Sequence, residues 1–171
     1  MLSGILDGGD SARFARQLVR GSQVATSAGA SYDPYERQQA LFLLDGVPAD
    51  AHTVAELQDA LLEQVKRIQQ EPVSEDELAR VKTSVVAGEV YQQDSTFYQA
   101  MQIGMLEAVD LDWRLLDEYV KRINAVSAEQ VQAVARKYLI EDRLTIGMLD
   151  PLPMEQDKKQ ISAVTGGANG Y

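Results

Sequence analysis

Leu6-Asp-Gly-Gly-Asp-Ser-Ala-Arg13, followed by Leu18-Val-Arg20 and the run Gln23–Tyr32, is the stretch on which the reading of this chain turns. Met1–Leu6, ahead of it, is apolar and helix-like with no start signal, which predicts that a preceding segment belongs to it. Gly8-Gly9 stops that helix as a C-terminal glycine cap does. Asp10 or Ser11 offers a cap for a second short helix, in which Phe14 and Leu18 share a face. At Gln23 the period changes to two. Val24, Thr26, Ala28, Ala30 and Tyr32 fall on one side of a strand, and Gln23, Ala25, Ser27, Gly29 and Ser31 on the other.

Asp33-Pro34 then turns the chain. Gln39–Val47, apolar on both faces around Leu41-Phe42-Leu43-Leu44, reads as a strand inside a sheet. The two strands most simply form an antiparallel hairpin. Beyond Pro48 the chain is helical, punctuated by three capping boxes: Thr53-x-x-Glu56, Ser74-x-x-Glu77 and Ser127-x-x-Gln130. The first opens a helix with the stripe Val54, Leu57, Leu61, Val65 and Ile68, which Glu71-Pro72 ends. The second opens a helix to Gln93, and two more are expected over Thr96–Ala108 and Trp113–Ile123. The third heads a helix with Val131, Val134 and Tyr138 on one side. Arg143–Leu149 alternates through Leu144, Ile146 and Met148, predicting a third strand that Pro151 stops.

These elements define an α+β fold, an antiparallel or mixed sheet with helices packed mainly on one face. Three strands cover little of so much helical surface, so at least one more is expected ahead of Met1. One domain is expected over residues 1–151, with a polar, mobile tail over 152–171.

Composition bounds the function. The 171 residues suit a single domain, and 45% apolar residues suffice for a substantial core. A net charge of −10 disfavours nucleic acids and anionic membrane surfaces as partners. With no cysteine there is neither a disulfide framework nor a thiolate metal site. No apolar run reaches the length of a membrane span.

Further pieces join the opening stretch: Pro72-Val-Ser-Glu-Asp-Glu-Leu-Ala-Arg-Val-Lys82, Tyr91 with Asp94-Ser95, Ala125-Val-Ser-Ala-Glu-Gln-Val131, Ala135-Arg-Lys-Tyr138 and Leu149-Asp-Pro151. In order and spacing they resemble the second, C-terminal domain of the pitrilysin/insulinase zinc metallopeptidases (the inverzincins), bacterial members above all. The resemblance implies a sheet backed by helices and a domain that closes the cleavage chamber and contacts peptide substrate. It also implies that zinc and its H-x-x-E-H motif belong to an N-terminal partner domain of the parent protein. Such a chain carries no cofactor, no metal ligand and no catalytic residue of its own, and is inactive alone. The alternative the family offers is a domain of a non-catalytic partner or scaffold subunit. The family implies the bacterial periplasm or cytoplasm, with the periplasm favoured.

Many members of the family place an arginine, and seven residues later a tyrosine, against the substrate backbone. Arg20 matches the arginine, while Ser27 stands at the tyrosine position. Arg20 is therefore the candidate substrate-binding residue, and its competing role is that of a cation at a helix end.

The other chemistry-bearing residues have plainer explanations. His52, the only histidine, has no second ligand at zinc spacing. Glu75, Asp76 and Glu77 suit the first turn of a helix. Glu89, Asp94 and Glu107 read as helix-surface or capping groups, and Ser95 has no histidine base beside it. Phe97, Met101 and Met105 share a helix face, a core stripe by default or otherwise a chamber wall. Association of two copies through a sheet edge is expected if a pairing strand is absent.

Overall fold

The structure, a computed structural model, describes residues 1–149; the expected tail and the Pro151 stop lie outside them. Helix α1 (Leu2–Asp7) is followed by a π-helical segment (Phe14–Val19), strands β1 (Ala25–Tyr32) and β2 (Phe42–Pro48), and helices α2 (Val54–Gln70), α3 (Glu75–Gln92), α4 (Thr96–Ala108), α5 (Leu115–Ala125) and α6 (Ala128–Tyr138). The expected α+β class holds, with β1 and β2 antiparallel.

The start of the chain is built as its glycines require. Gly9 takes φ +88, the left-handed conformation a glycine adopts without penalty. At Gly8 a side chain would meet the Gly4 carbonyl oxygen at 2.1 Å, so only hydrogen fits there. The second short helix departs from expectation. Neither Asp10 nor Ser11 caps it with a side chain. Its last bonds run five residues back, Arg20 N–H to Ala15 O at 3.1 Å and Ser22 N–H to Gln17 O at 2.8 Å. Phe14 and Leu18 are nevertheless both buried, as their shared face predicted.

In β1 the expected alternation breaks at Thr26. Ala25 pairs with Pro48 and Ser27 with Val47, so Thr26 is an extra residue, a β-bulge. The bulge reverses the parity: Ala25 turns inward and is buried, while Thr26 is exposed and donates its hydroxyl to Pro48 O at 3.3 Å. Beyond it Ala28 and Ala30 face the core with Leu44 and Phe42.

Two expectations for the strands are corrected. Among the described residues β2 pairs with β1 alone, so it is an edge strand rather than an interior one. Helices cover one of its faces, and Leu41, Leu43 and Val47 on the other are exposed. Arg143–Leu149 forms no strand: a short 3₁₀ turn at Glu141–Arg143 leads into unpaired chain, with Leu144, Ile146 and Met148 exposed. Alternation sets which side chains share a face, but a strand also needs a neighbour for its backbone donors.

The core is one cluster. Ile5, Leu6, Phe14 and Leu18 from the start of the chain pack with Leu57, Leu61 and Ile68 of α2, Leu78 and Val81 of α3, and Val131 and Ala135 of α6. Gln69 ties α2 to α6: its side-chain amide donates to Leu139 O at 2.6 Å and its backbone carbonyl accepts from Gln132 Nε2 at 3.2 Å. Two capping boxes, at Thr53 and Ser127, form in full. At Ser74 only half forms. The serine hydroxyl accepts from Glu77 N–H at 3.2 Å, but the Glu77 carboxylate is engaged by Arg13 instead.

Candidate functional site: a tyrosine-lined cleft

The turn after β1 lies against α3, α4 and α5 and bounds two adjoining clefts that share Pro34, Tyr35, Tyr98 and Gln102. The larger, about 460 Å³, is walled by Leu41 and Leu43 at the edge of the hairpin and by Met101 and Met105 of α4. The face these methionines share with Phe97, a core stripe by default or otherwise a chamber wall, is exposed at all three residues. Leu106 is the buried residue of α4. The sequence shows that the three share a face, but not that no described element covers it.

The smaller cleft, about 270 Å³, holds Glu89 of α3 together with Tyr35, Tyr98 and Tyr119. Burial raises the Tyr35 hydroxyl above its ordinary pKa, and the charges around it, Glu89 among them, add to that. Tyr119 is raised for the same reasons, burial first and then Glu89. Glu89 is half-buried and forms no ion pair with any described residue. Gln102 donates its amide to the Tyr98 hydroxyl, and its buried Oε1 has no partner among the described residues. Nothing in the sequence pattern singled out this group. Its members come from four elements, and Glu89 read as an ordinary helix-surface acid.

Arg20 is exposed at the end of the π-helical segment, where its guanidinium donates to the Asp10 carbonyl oxygen. It is not among the residues lining either cleft. Ser27, seven residues on, is exposed on β1 opposite Val47. Tyr32 ends β1 with its ring 6.4 Å from that of Phe42, and Tyr35 lies in the cleft. The structure therefore brings Arg20 to Asp10 and Tyr35 to Glu89, and does not bring Arg20 into the cleft.

The remaining candidates take structural places. Ser95 caps α4, accepting from Tyr98 N–H at 3.3 Å. Glu75, Asp76 and Glu77 occupy the first turn of α3. His52 Nδ1 lies 3.6 Å from Glu56 Oε2, the acid that closes the Thr53 capping box. One histidine and one carboxylate do not make a zinc site, which needs three or four ligands. Among the described residues no group of three or more histidines and acids is placed to hold a metal ion. These residues do not fit a catalytic zinc.

A two-stranded antiparallel hairpin held against a helical layer defines an α+β domain. Residues 1–85, just under half of the chain, match the family profile of the Peptidase M16 inactive domain. The chain is 23% identical over 142 residues to the uncharacterized zinc protease YmxG of Bacillus subtilis, covering 83% of this chain and 34% of that protein. The chain thus spans about a third of that relative's length. Two solved structures share the fold at 18% identity. The inactive peptidase domain of a protein described as a zinc protease from Bordetella parapertussis superimposes with a TM-score of 0.72, covering 90% of this chain and 82% of that one. A protease from Helicobacter pylori gives 0.76, covering 83% and 34%.

Proposed function

We propose that this chain is the part of a zinc protease that closes the cleavage chamber and contacts the peptide, while hydrolysis belongs to a separate zinc-bearing domain of the parent. The observation that carries the reading is the exposed apolar wall of Leu41, Leu43, Met101 and Met105 along a cleft of about 460 Å³, in a chain that matches the inactive-domain profile over residues 1–85. Contiguous exposed apolar surface marks a place where another chain is bound. Methionine suits varied guests, because its unbranched thioether repacks readily.

Binding and hydrolysis, measured on the same 171-residue chain, test the proposal. Unstructured apolar peptides should perturb the amide resonances of residues 41–43 and 98–105, and should remain uncleaved with zinc present. Cleavage by the purified chain, or no binding of any peptide at millimolar concentration, would overturn it. Absence of peptide binding together with tight capture of a zinc-bearing family member would favour a scaffold domain instead.

A further inference from the structure

We propose that the smaller cleft is a subsite for an arginine side chain of the bound peptide, with Glu89 as its counter-charge. The inference rests on the peptide-contact reading above and adds to it a side-chain preference.

The argument starts from two polar groups without partners. Glu89 is half-buried, lines the cleft and has no ion pair among the described residues. Oε1 of Gln102 is buried and accepts no hydrogen bond from a described residue, while the amide nitrogen of that residue donates to the Tyr98 hydroxyl. A buried acceptor left unpaired costs free energy, and so does a half-buried carboxylate without a counter-charge. What the two groups lack is a donor, and the carboxylate also lacks a cation.

The surroundings select the kind of donor. Tyr35, Tyr98 and Tyr119 line the same space, and aromatic rings attract cations to their faces. No described lysine or arginine lines either cleft, while Asp33 and Glu36 stand in the adjoining one. An anion or a phosphate would meet only repulsion here. Between the two basic side chains, arginine fits better. Its planar guanidinium stacks on tyrosine and is weakly hydrated. It also offers five N–H donors in a rigid fork that matches a carboxylate. The larger cleft shares four residues with this one, so neighbouring apolar side chains of the same peptide would lie against Leu43, Met101 and Met105.

The test compares two short capped peptides of leucine residues around one central position, arginine in one and citrulline in the other. Citrulline keeps the shape and loses the charge. With the intact 171-residue chain, the arginine peptide should bind about tenfold more tightly. That advantage should vanish in Glu89→Gln and shrink as salt is raised. Gln102→Glu, which adds a second carboxylate, should enlarge it. Equal affinity for the two peptides, an advantage that survives Glu89→Gln, or one that Gln102→Glu leaves unchanged would overturn the subsite while leaving peptide contact standing. Failure of both peptides to bind would remove the subsite and the peptide-contact reading together.

Discussion

Arg13 and Glu77, 64 residues apart in sequence, form a two-pronged ion pair, with Nε to Oε1 and Nη2 to Oε2 both at 2.8 Å. Their side chains are 12% and 15% exposed, so the pair is largely shielded from solvent. It pins the entry of the π-helical segment to the first turn of α3. Removing one partner strands a charge in a poorly hydrated place, which costs more than the intact pair contributes. Arg13→Ala and Glu77→Ala should each lower unfolding free energy in urea by about 2–4 kcal/mol. The double variant should lose clearly less than the two single losses together, because the second change removes the stranded charge. Strict additivity would show that the two residues do not act as a pair.

Two neighbouring glycines should behave differently when replaced by alanine. At Gly8 the new methyl group would stand 2.1 Å from the Gly4 carbonyl oxygen, so the end of α1 must move, and with it the Gly8 carbonyl that Arg80 binds at 3.3 Å. At Gly9 there is open space and only the φ of +88 to maintain. Gly8→Ala should therefore cost roughly 3 kcal/mol or more, as a severe backbone clash does. Gly9→Ala should cost about 1–2 kcal/mol, the penalty for a left-handed L-residue. Thermal denaturation of both variants checks the order.

The Thr53 capping box carries a pH dependence. The Thr53 backbone N–H donates to the Glu56 carboxylate at 2.7 Å and the hydroxyl at 3.0 Å. These bonds, the backbone one foremost, hold the Glu56 pKa below the ordinary carboxylate value. A pKa lowered by folding stabilises the native state above the unfolded value, and that contribution is lost as pH falls through the lowered folded value. The stability difference between the native chain and Glu56→Gln should be largest near neutral pH and should close on acidification below about pH 4. A difference that stays constant from pH 7 to 3 would show that the carboxylate does not depend on its charge there.

Arg20 separates a role in the fold from a role in binding. Its guanidinium holds the Asp10 carbonyl, which closes the turn before the π-helical segment. Arg20→Ala should destabilise the chain by about 1 kcal/mol, the usual net worth of one hydrogen bond, partly restored in Arg20→Lys. Peptide affinity in the cleft should be unchanged, since Arg20 does not line it. A loss of affinity with unchanged melting temperature would reassign the residue to substrate.

What the sequence revealed follows from how local each signal is. Helices α2 and α6 were legible because their caps and apolar stripes lie within a turn or two of one another, as at Thr53-x-x-Glu56 and Leu57, Leu61, Ile68. The half-made box at Ser74 was not, because the residue that diverts Glu77 is Arg13. The bulge at Thr26 adds one residue against a partner strand, and the alternation in β1 alone carries no record of that partner. The cleft was least legible of all. Tyr35, Glu89, Tyr98 and Tyr119 come from a loop and three helices, and no spacing links them.

The edge of the hairpin leads to a last expectation, association of two copies. On β1 the Ala30 N–H, a donor β2 does not use, is taken by the Asp7 carboxylate at 3.2 Å, which shields that side. No described strand pairs with β2 on its other side. Its exposed face also presents Leu43 and Val47, 53% and 56% exposed, beside Leu41 at 68%. An open edge flanked by apolar side chains is a template for pairing. Two β2 edges meeting about a two-fold axis would satisfy both copies at once and close the assembly. Two features oppose this: the net charge of −10 on each copy, and Asp45 exposed within the strand. Association should therefore be weak at low ionic strength and should strengthen with added salt, which screens the repulsion over distances of about 10 Å at 0.1 M. Light scattering across concentration and salt would show it, and Leu43→Lys should abolish it by placing a charge beside the pairing edge. A chain that stays monomeric under all these conditions would show that the β2 edge is not used between copies.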